Sequence, residues 1–257
     1  MHVAPRAAGM PPLPRPSPSL PATQATPWLE SIRAGAWFRE LPSAMRDALL
    51  THAALRKLEA GEALFARGDP FDGLYCVASG AVLIHAHGVD GKAALLGLLE
   101  PGAWFGEICL FDGLARTHDA HAATRGSVLH IPRDRLEAML ASHPAWWREF
   151  GKLLAGKTRE AFRYVEEAQL LSPVARTARR LAAIARAYGD QPCAPGPTPA
   201  TARPRSVHIP QEQLGQMLGL SRQTVNHALR ELESRGLLRL RYADIELLDL
   251  AALEQLS

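Results

Sequence analysis

The sequence predicts an α+β chain: a small β-roll, then one long helix, then a helix-turn-helix followed by a β wing. Three observations carry this expectation. Between Gly61 and Ile131, short apolar or alternating runs are broken by repeated glycines, the texture of many short strands joined by turns. From Ala145 to Leu171 the pattern is helical and contains no proline. At residues 210–234 two helical patterns flank a turn glycine and a capping serine.

The bulk composition narrows the classes. With 257 residues, 47% hydrophobic and 21% charged, the chain buries a real core. No run approaches the ~18 consecutive apolar residues of a membrane span. The N-terminus carries Arg6 but no apolar signal region. Cys76, Cys109 and Cys193 are scattered without a C-x-x-C pair, which argues against a disulfide framework and a cysteine-held zinc or iron–sulfur site. A reducing cytoplasm is expected, with no metal and no membrane partner. Residues 172–257 hold 11 Arg and no Lys against 8 Asp and Glu, so the whole net charge of +3 resides there. Arginine suits bidentate contacts to phosphate and guanine, although a solvated surface rich in Arg gives the same count. No Ser-His-Asp order, metal-ligand spacing or P-loop appears, so an enzyme is not expected.

Taken in chain order, residues 1–27 are rich in Pro, Ala and Ser and read as a disordered tail. From Trp28 to about Leu58, Leu29, Ile32, Phe38, Leu41, Met45, Leu49 and Leu50 recur at helical spacing. Strands are expected at ALFAR, LYCVASG, AVLIHAH, AALLGLL and SVLHI, with an Asp-Gly hairpin turn at 88–92. A short helix from Arg135 to Ser142 ends at His143-Pro144, closing a β-roll domain over 28–144. In the 145–171 helix, heptad positions fall on Trp147, Leu154, Ala161 and Ala168, and on Phe150, Lys157, Tyr164 and Leu171. Such a seam with a central Lys157 reads as a dimer-forming helix; packing on its own domain remains the alternative. Ser172-Pro173 ends it, 174–188 form an amphipathic helix with Gly189 as C-cap, and 190–206 read as a surface loop within a C-terminal domain of 172–257.

In that domain Pro210 suits a helix start, Gly219 the sharp turn, and Ser221 the cap of a second helix. Val225, Leu229 and Leu232 mark its buried face. Arg222, Gln223, Asn226 and His227, with Arg230 a turn later, occupy the opposite face, and these side-chain types read base edges. Residues 236–250 suggest two strands around a turn near Ala243-Asp244, with Arg239 and Arg241 available for phosphate.

The segments LGQMLGLSRQTVNHALREL (214–232) and GAWFGEICLFDGLARTHDA (102–120) resemble those of the Crp–Fnr superfamily of bacterial regulators. This resemblance implies a cyclic-nucleotide-binding-type β-roll, a dimerisation helix and a winged helix-turn-helix. It implies a homodimer on a near-palindromic stretch of double-stranded DNA, with RNA polymerase as a further partner of an activator. An effector-binding module whose C-terminal helices meet a protein partner is the alternative. Gly106-Glu107 and Arg116-Thr117 match the pairs that hold the ribose and the cyclic phosphate in cAMP-binding members, although Glu107 and Arg116 could instead pair with each other. The adenine-contacting hydroxyl pair falls at Ala161 and Phe162, and the adenine-contacting Arg at Lys157. His118 and Asp119 also depart from the small residues usual after the Arg-Thr pair. The effector therefore stays open: cAMP, cyclic di-GMP, another molecule or none. Residues 1–60 lack the cysteines of the oxygen-sensing branch, and His85, His87, His118 and His121 show no ligand spacing. Gln223 stands where the reader pair usually has Glu, and His227 replaces a later Arg, so the preferred half-site should be shifted.

Overall fold

The computed structural model describes residues 27–87, 93–189, 205–207, 209–241 and 244–257. Residues 1–26 of the expected tail, the 88–92 hairpin turn, most of the 190–206 loop and part of the wing turn lie outside these residues, while Pro27 opens the first helix. Three helices come first: α1 (Pro27–Ala34), α2 (Ala36–Glu40) and α3 (Ser43–His52). Strands β1 (Ala54–Leu58), β2 (Ala63–Phe65), β3 (Gly73–Ser79), β4 (Val82–His87), β5 (Ala93–Leu99) and β6 (Trp104–Phe105) follow. A short α4 (Ile108–Asp112) precedes β7 (Asp119–Ala122) and β8 (Gly126–Pro132). Then come α5 (Arg133–Ser142), a 3-10 turn (Pro144–Trp146), α6 (Trp147–Leu170) and α7 (Pro173–Gly189). The C-terminal part holds β9 (Arg205–Val207), α8 (Gln211–Leu218), α9 (Arg222–Ser234), β10 (Leu238–Leu240), β11 (Ile245–Leu247) and α10 (Leu250–Gln255).

The eight N-terminal strands form two antiparallel four-stranded sheets, β1-β8-β3-β6 and β2-β7-β4-β5. Between them lies a core of Leu58, Leu64, Phe65, Tyr75, Val77, Val82, Phe105 and Val128. The outer face of the first sheet is covered as well. Leu74, Cys76, Leu129 and Ile131 pack there against Ile32, Phe38, Met45, Leu49 and Leu136 of the helices. Strand β3 is thus buried on both faces, which explains its unbroken apolar run. The helical reading up to Leu58 overran: residues 54–58 pair with β8 from Ala54↔His130 to Leu58↔Gly126. Neighbouring strands decide that segment, since none of its side chains is β-branched.

Helix α6 corrects the seam. Phe150 is fully buried in the N-terminal core, 5.4 Å from the Trp37 ring. Lys157 Nζ donates to Glu107 Oε2 at 2.7 Å, and Tyr164 donates to the Met217 carbonyl at 2.8 Å. The Phe150/Lys157/Tyr164 stripe therefore docks on its own chain, the alternative left open for this helix. The large apolar side chains left exposed on α6 are Trp147, Phe162, Val165 and Leu170.

The wing has one more strand than expected, since β9 pairs with β11 and makes the sheet β10-β11-β9. Pro210 precedes α8 instead of opening it. Leu181, Leu214, Met217, Val225, Leu229, Leu232, Leu238 and Leu253 form the C-terminal core, and Leu95 of β5 joins it. Among the described residues no helix is long and apolar enough to cross a membrane.

Truncating Phe150 leaves a cavity where α6 meets the N-terminal core. Phe150→Ala should cost about 3–5 kcal/mol of unfolding free energy, read as a lower midpoint in urea denaturation of the full chain.

Candidate functional site

The turn between β2 and β3, GDPFDG at 68–73, places Asp72 beside the end of the first sheet. Its carboxylate accepts from the Tyr75 hydroxyl at 2.5 Å and from Arg116 Nη2 at 2.5 Å, and His130 Nε2 stands 3.7 Å away. Arg116 also donates to the carbonyls of Gly73, at 2.6 Å, and Gly106, at 2.9 Å. Its buried guanidinium lies 4.2 Å from the centre of the Phe65 ring. The planar fork thus bridges two carbonyls and one carboxylate, a role that Lys could not fill. Burial pushes the Tyr75 phenol well above its ordinary range, and the charge of Asp72 adds to that, so Tyr75 stays a donor. Burial holds the His130 imidazole below its ordinary range despite Asp72.

Gly106 has φ +94°, and a Cβ there would lie 2.6 Å from Arg116 Nη1. Only glycine lets this carbonyl approach the guanidinium so closely. Glu107 follows, 1% exposed, and its pairing is with Lys157 of α6. Its Oε1 has no hydrogen-bond partner among the described residues. No Glu107–Arg116 ion pair forms, because Lys157 and Asp72 neutralise the two groups separately. Thr117 stands apart from them: it is exposed and its hydroxyl is 2.9 Å from His118 Nδ1. The structure therefore joins Gly106 to Arg116 and Glu107 to Lys157. At the positions aligned with the adenine contacts, Ala161 and Phe162 are exposed on α6.

The second region is α9. Gly219 turns the chain with φ +62°, and Ser221 Oγ accepts from the Thr224 amide at 3.1 Å, fixing the helix start. Val225, Ala228, Leu229 and Leu232 are buried, whereas Arg222, Gln223, His227 and Arg230 are exposed and Asn226 is half-buried between them. His227 lies 3.7 Å from Glu231; among the described residues no acidic side chain pairs with Arg222 or Arg230. In the wing, Arg239 and Arg241 both approach Glu246 at 3.5 Å.

Sequence reasoning missed Asp72, Tyr75 and His130 around Arg116. Asp72 sits in a Gly/Asp/Pro segment whose composition already accounts for it as a turn residue. The signal was faint, since only strand pairing brings Tyr75 opposite His130.

Comparison with known proteins matches a cyclic nucleotide-binding domain to residues 55–143 and a Crp-like helix-turn-helix domain to residues 175–256. The chain is 32% identical over 181 residues to the CRP-like cAMP-activated global transcriptional regulator of Mycobacterium tuberculosis, covering 70% of this chain and 77% of that protein. It is 28% identical over 211 residues to the cyclic AMP receptor protein of Thermus thermophilus, covering 82% and 91%. Among solved structures, a CRP/FNR-family regulator from Thermus thermophilus aligns with a TM-score of 0.61 at 26% identity, over 78% of this chain and 96% of that one. FixK2 from Bradyrhizobium japonicum aligns with a TM-score of 0.67 at 24% identity, over 79% and 96%.

Lys157→Met should leave Glu107 buried without its partner and destabilise the chain by roughly 1–3 kcal/mol in thermal unfolding; adding Glu107→Gln should restore most of the loss. His130 gives a pH dependence. Its folded-state pKa is lowered, so below about pH 6.5 the unfolded chain binds a proton that the fold resists, and stability falls as pH drops through that value. The loss should be smaller in His130→Gln, compared by urea midpoints on either side of that pH.

Proposed function

Because this chain belongs to the CRP/FNR family of DNA-binding transcription regulators, we propose that two copies bind a near-palindromic operator together, under the control of a cyclic nucleotide held in the β-roll. The observation that carries this reading is the α9 face. A capped helix with a buried back presents Arg222, Gln223, Asn226, His227 and Arg230, the donors and acceptors that major-groove recognition needs. Ser221 and the N-terminal amides of α9 lie against the phosphate backbone in this reading, and Arg239 and Arg241 of the wing add contacts that position without specifying.

Dimerisation is assigned to residues 145–171. Trp147, Phe162, Val165 and Leu170 leave an apolar stripe on α6 that a second copy would cover. The β-roll over 28–144 takes the effector, and 172–257 bind DNA. Two recognition helices would then meet half-sites about one helical turn, ~34 Å, apart.

In the sensor pocket, Glu107 accepts from a ribose hydroxyl while Arg116, Thr117 and the backbone near Gly106 hold the cyclic phosphate. Arg116 reaches a phosphate by leaving Asp72, and Lys157 must turn from Glu107 toward the base. The M. tuberculosis relative is described as cAMP-activated and the T. thermophilus relative as a cyclic AMP receptor protein, which makes cAMP the first candidate for this pocket. Ala161 and Phe162 supply no hydroxyl to adenine, so base recognition rests on other groups. An activator of this kind would also touch RNA polymerase.

Gel shifts on a selected operator test the DNA half. Arg222→Ala should weaken specific binding by roughly tenfold or more, and unchanged affinity would point to a protein partner for these helices. Footprinting should protect both half-sites; protection of one alone would overturn the dimer. Calorimetric titration with cAMP, cGMP and cyclic di-GMP, one at a time, tests the sensor half: a response that Arg116→Ala abolishes is expected.

A further inference from the structure

Four side chains outside the sensor pocket share the outer face of the second sheet. On β4, His85 and His87 are two residues apart and project from the same side, while Val82 and Ile84 pack toward the inner core. Strand β7 runs antiparallel beside it, with Asp119 opposite His85 and His121 opposite Leu83. Ala120 and Ala122 of β7 belong to the inner core, which leaves Asp119 and His121 on the histidine side. The two pairs lie more than thirty positions apart in the chain, and the strand register brings them together.

From this placement we propose that His85, His87 and Asp119 bind a divalent transition metal of the zinc class. One candidate ligand atom from each lies within 4.8 Å of the others. Metal–ligand distances of about 2.0–2.2 Å put tetrahedral ligands roughly 3.3–3.6 Å apart, so the set closes by small rotations in which His87 and Asp119 exchange their mutual hydrogen bond for the metal. Two imidazoles and one carboxylate match zinc and its neighbours, whereas calcium and magnesium take oxygen ligands.

The surroundings fix the ligands. Asp119 accepts from the Arg67 amide at 2.8 Å through one oxygen, and its other oxygen lies 2.9 Å from His87 Nδ1. His121 stacks on His85 with ring centres 4.6 Å apart, which limits rotation of that ring. His121 Nδ1 is itself buried, with no hydrogen-bond partner among the described residues. Strand β4 lies between β7 and β5, so the set stands on a paired, rigid element.

The position gives the site a reach beyond the β-roll. His85 and His87, with Leu83, Leu95, Gln213 and Gln216, line a cavity of about 200 Å³ between the sheet and α8. A bound cation adds positive charge where the sensor domain meets the first helix of the helix-turn-helix. This inference does not depend on which nucleotide occupies the sensor pocket.

The test uses the full chain, stripped with a chelator and titrated with zinc against a chromophoric competitor. One equivalent per chain is expected, with affinity lowered roughly tenfold or more in His87→Ala and lost in His85→Ala/His87→Ala. His87 is exposed, and circular dichroism and the melting point should show the variants folded. Cobalt loading should give ligand-field bands without a thiolate charge-transfer band, which separates this site from the cysteines. Absence of stoichiometric zinc binding by the parent chain, parent-like binding by the double variant, or a thiolate band would overturn the assignment. Magnesium at the same concentration should leave zinc binding unchanged, and effective competition by it would also overturn it.

Discussion

One stripe of α6 ties the molecule together. Stepping by seven residues, Phe150, Lys157 and Tyr164 stay on nearly one face, drifting by only about 20° per step. The first plugs the N-terminal core, the second neutralises Glu107 in the sensor pocket, and the third donates to the end of α8. Core, pocket and helix-turn-helix are thereby registered on a single rigid rod. A shift of that rod would disturb all three contacts together.

The sensor region is organised by internal counter-charges. Arg116 spends its donors on Asp72 and on two carbonyls, and Lys157 answers Glu107. An anionic ligand arriving at Arg116 would therefore have to compete with a carboxylate already in place. Only the difference between the two interactions appears as affinity, because neither buried charge is left bare in the free chain.

Much of the fold could be read from residue order, and the exceptions have physical reasons. Glycine-broken runs marked β2, β3, β4, β5 and β8, and the turn glycine with a capping serine marked α8 and α9. Strands β1, β6, β7 and β9 were missed, being short or of weak β propensity and held by their neighbours. Heptad periodicity located the Phe150/Lys157/Tyr164 stripe but not what it touches, because a spacing of seven describes a face and not its partner. The exposed face of α9 was legible residue by residue, since it is local to one helix. Around Arg116 only part of the site was legible: the Gly106-Glu107 and Arg116-Thr117 pairs were marked, whereas Asp72, Tyr75 and His130 converge through turns and pairing across the sheet.

The end of α8 holds a last consequence. Its final carbonyls, with no amide of the same helix to satisfy them, accept instead from Tyr164 on Met217 and from Arg176 on Leu218. Both donors are the tips of long side chains, and water can stand in for either at a net cost of about 1 kcal/mol. Such fastening is directional, and it adds an orientation to the non-directional apolar packing of Leu214, Met217 and Leu218 against Leu181 and Leu95.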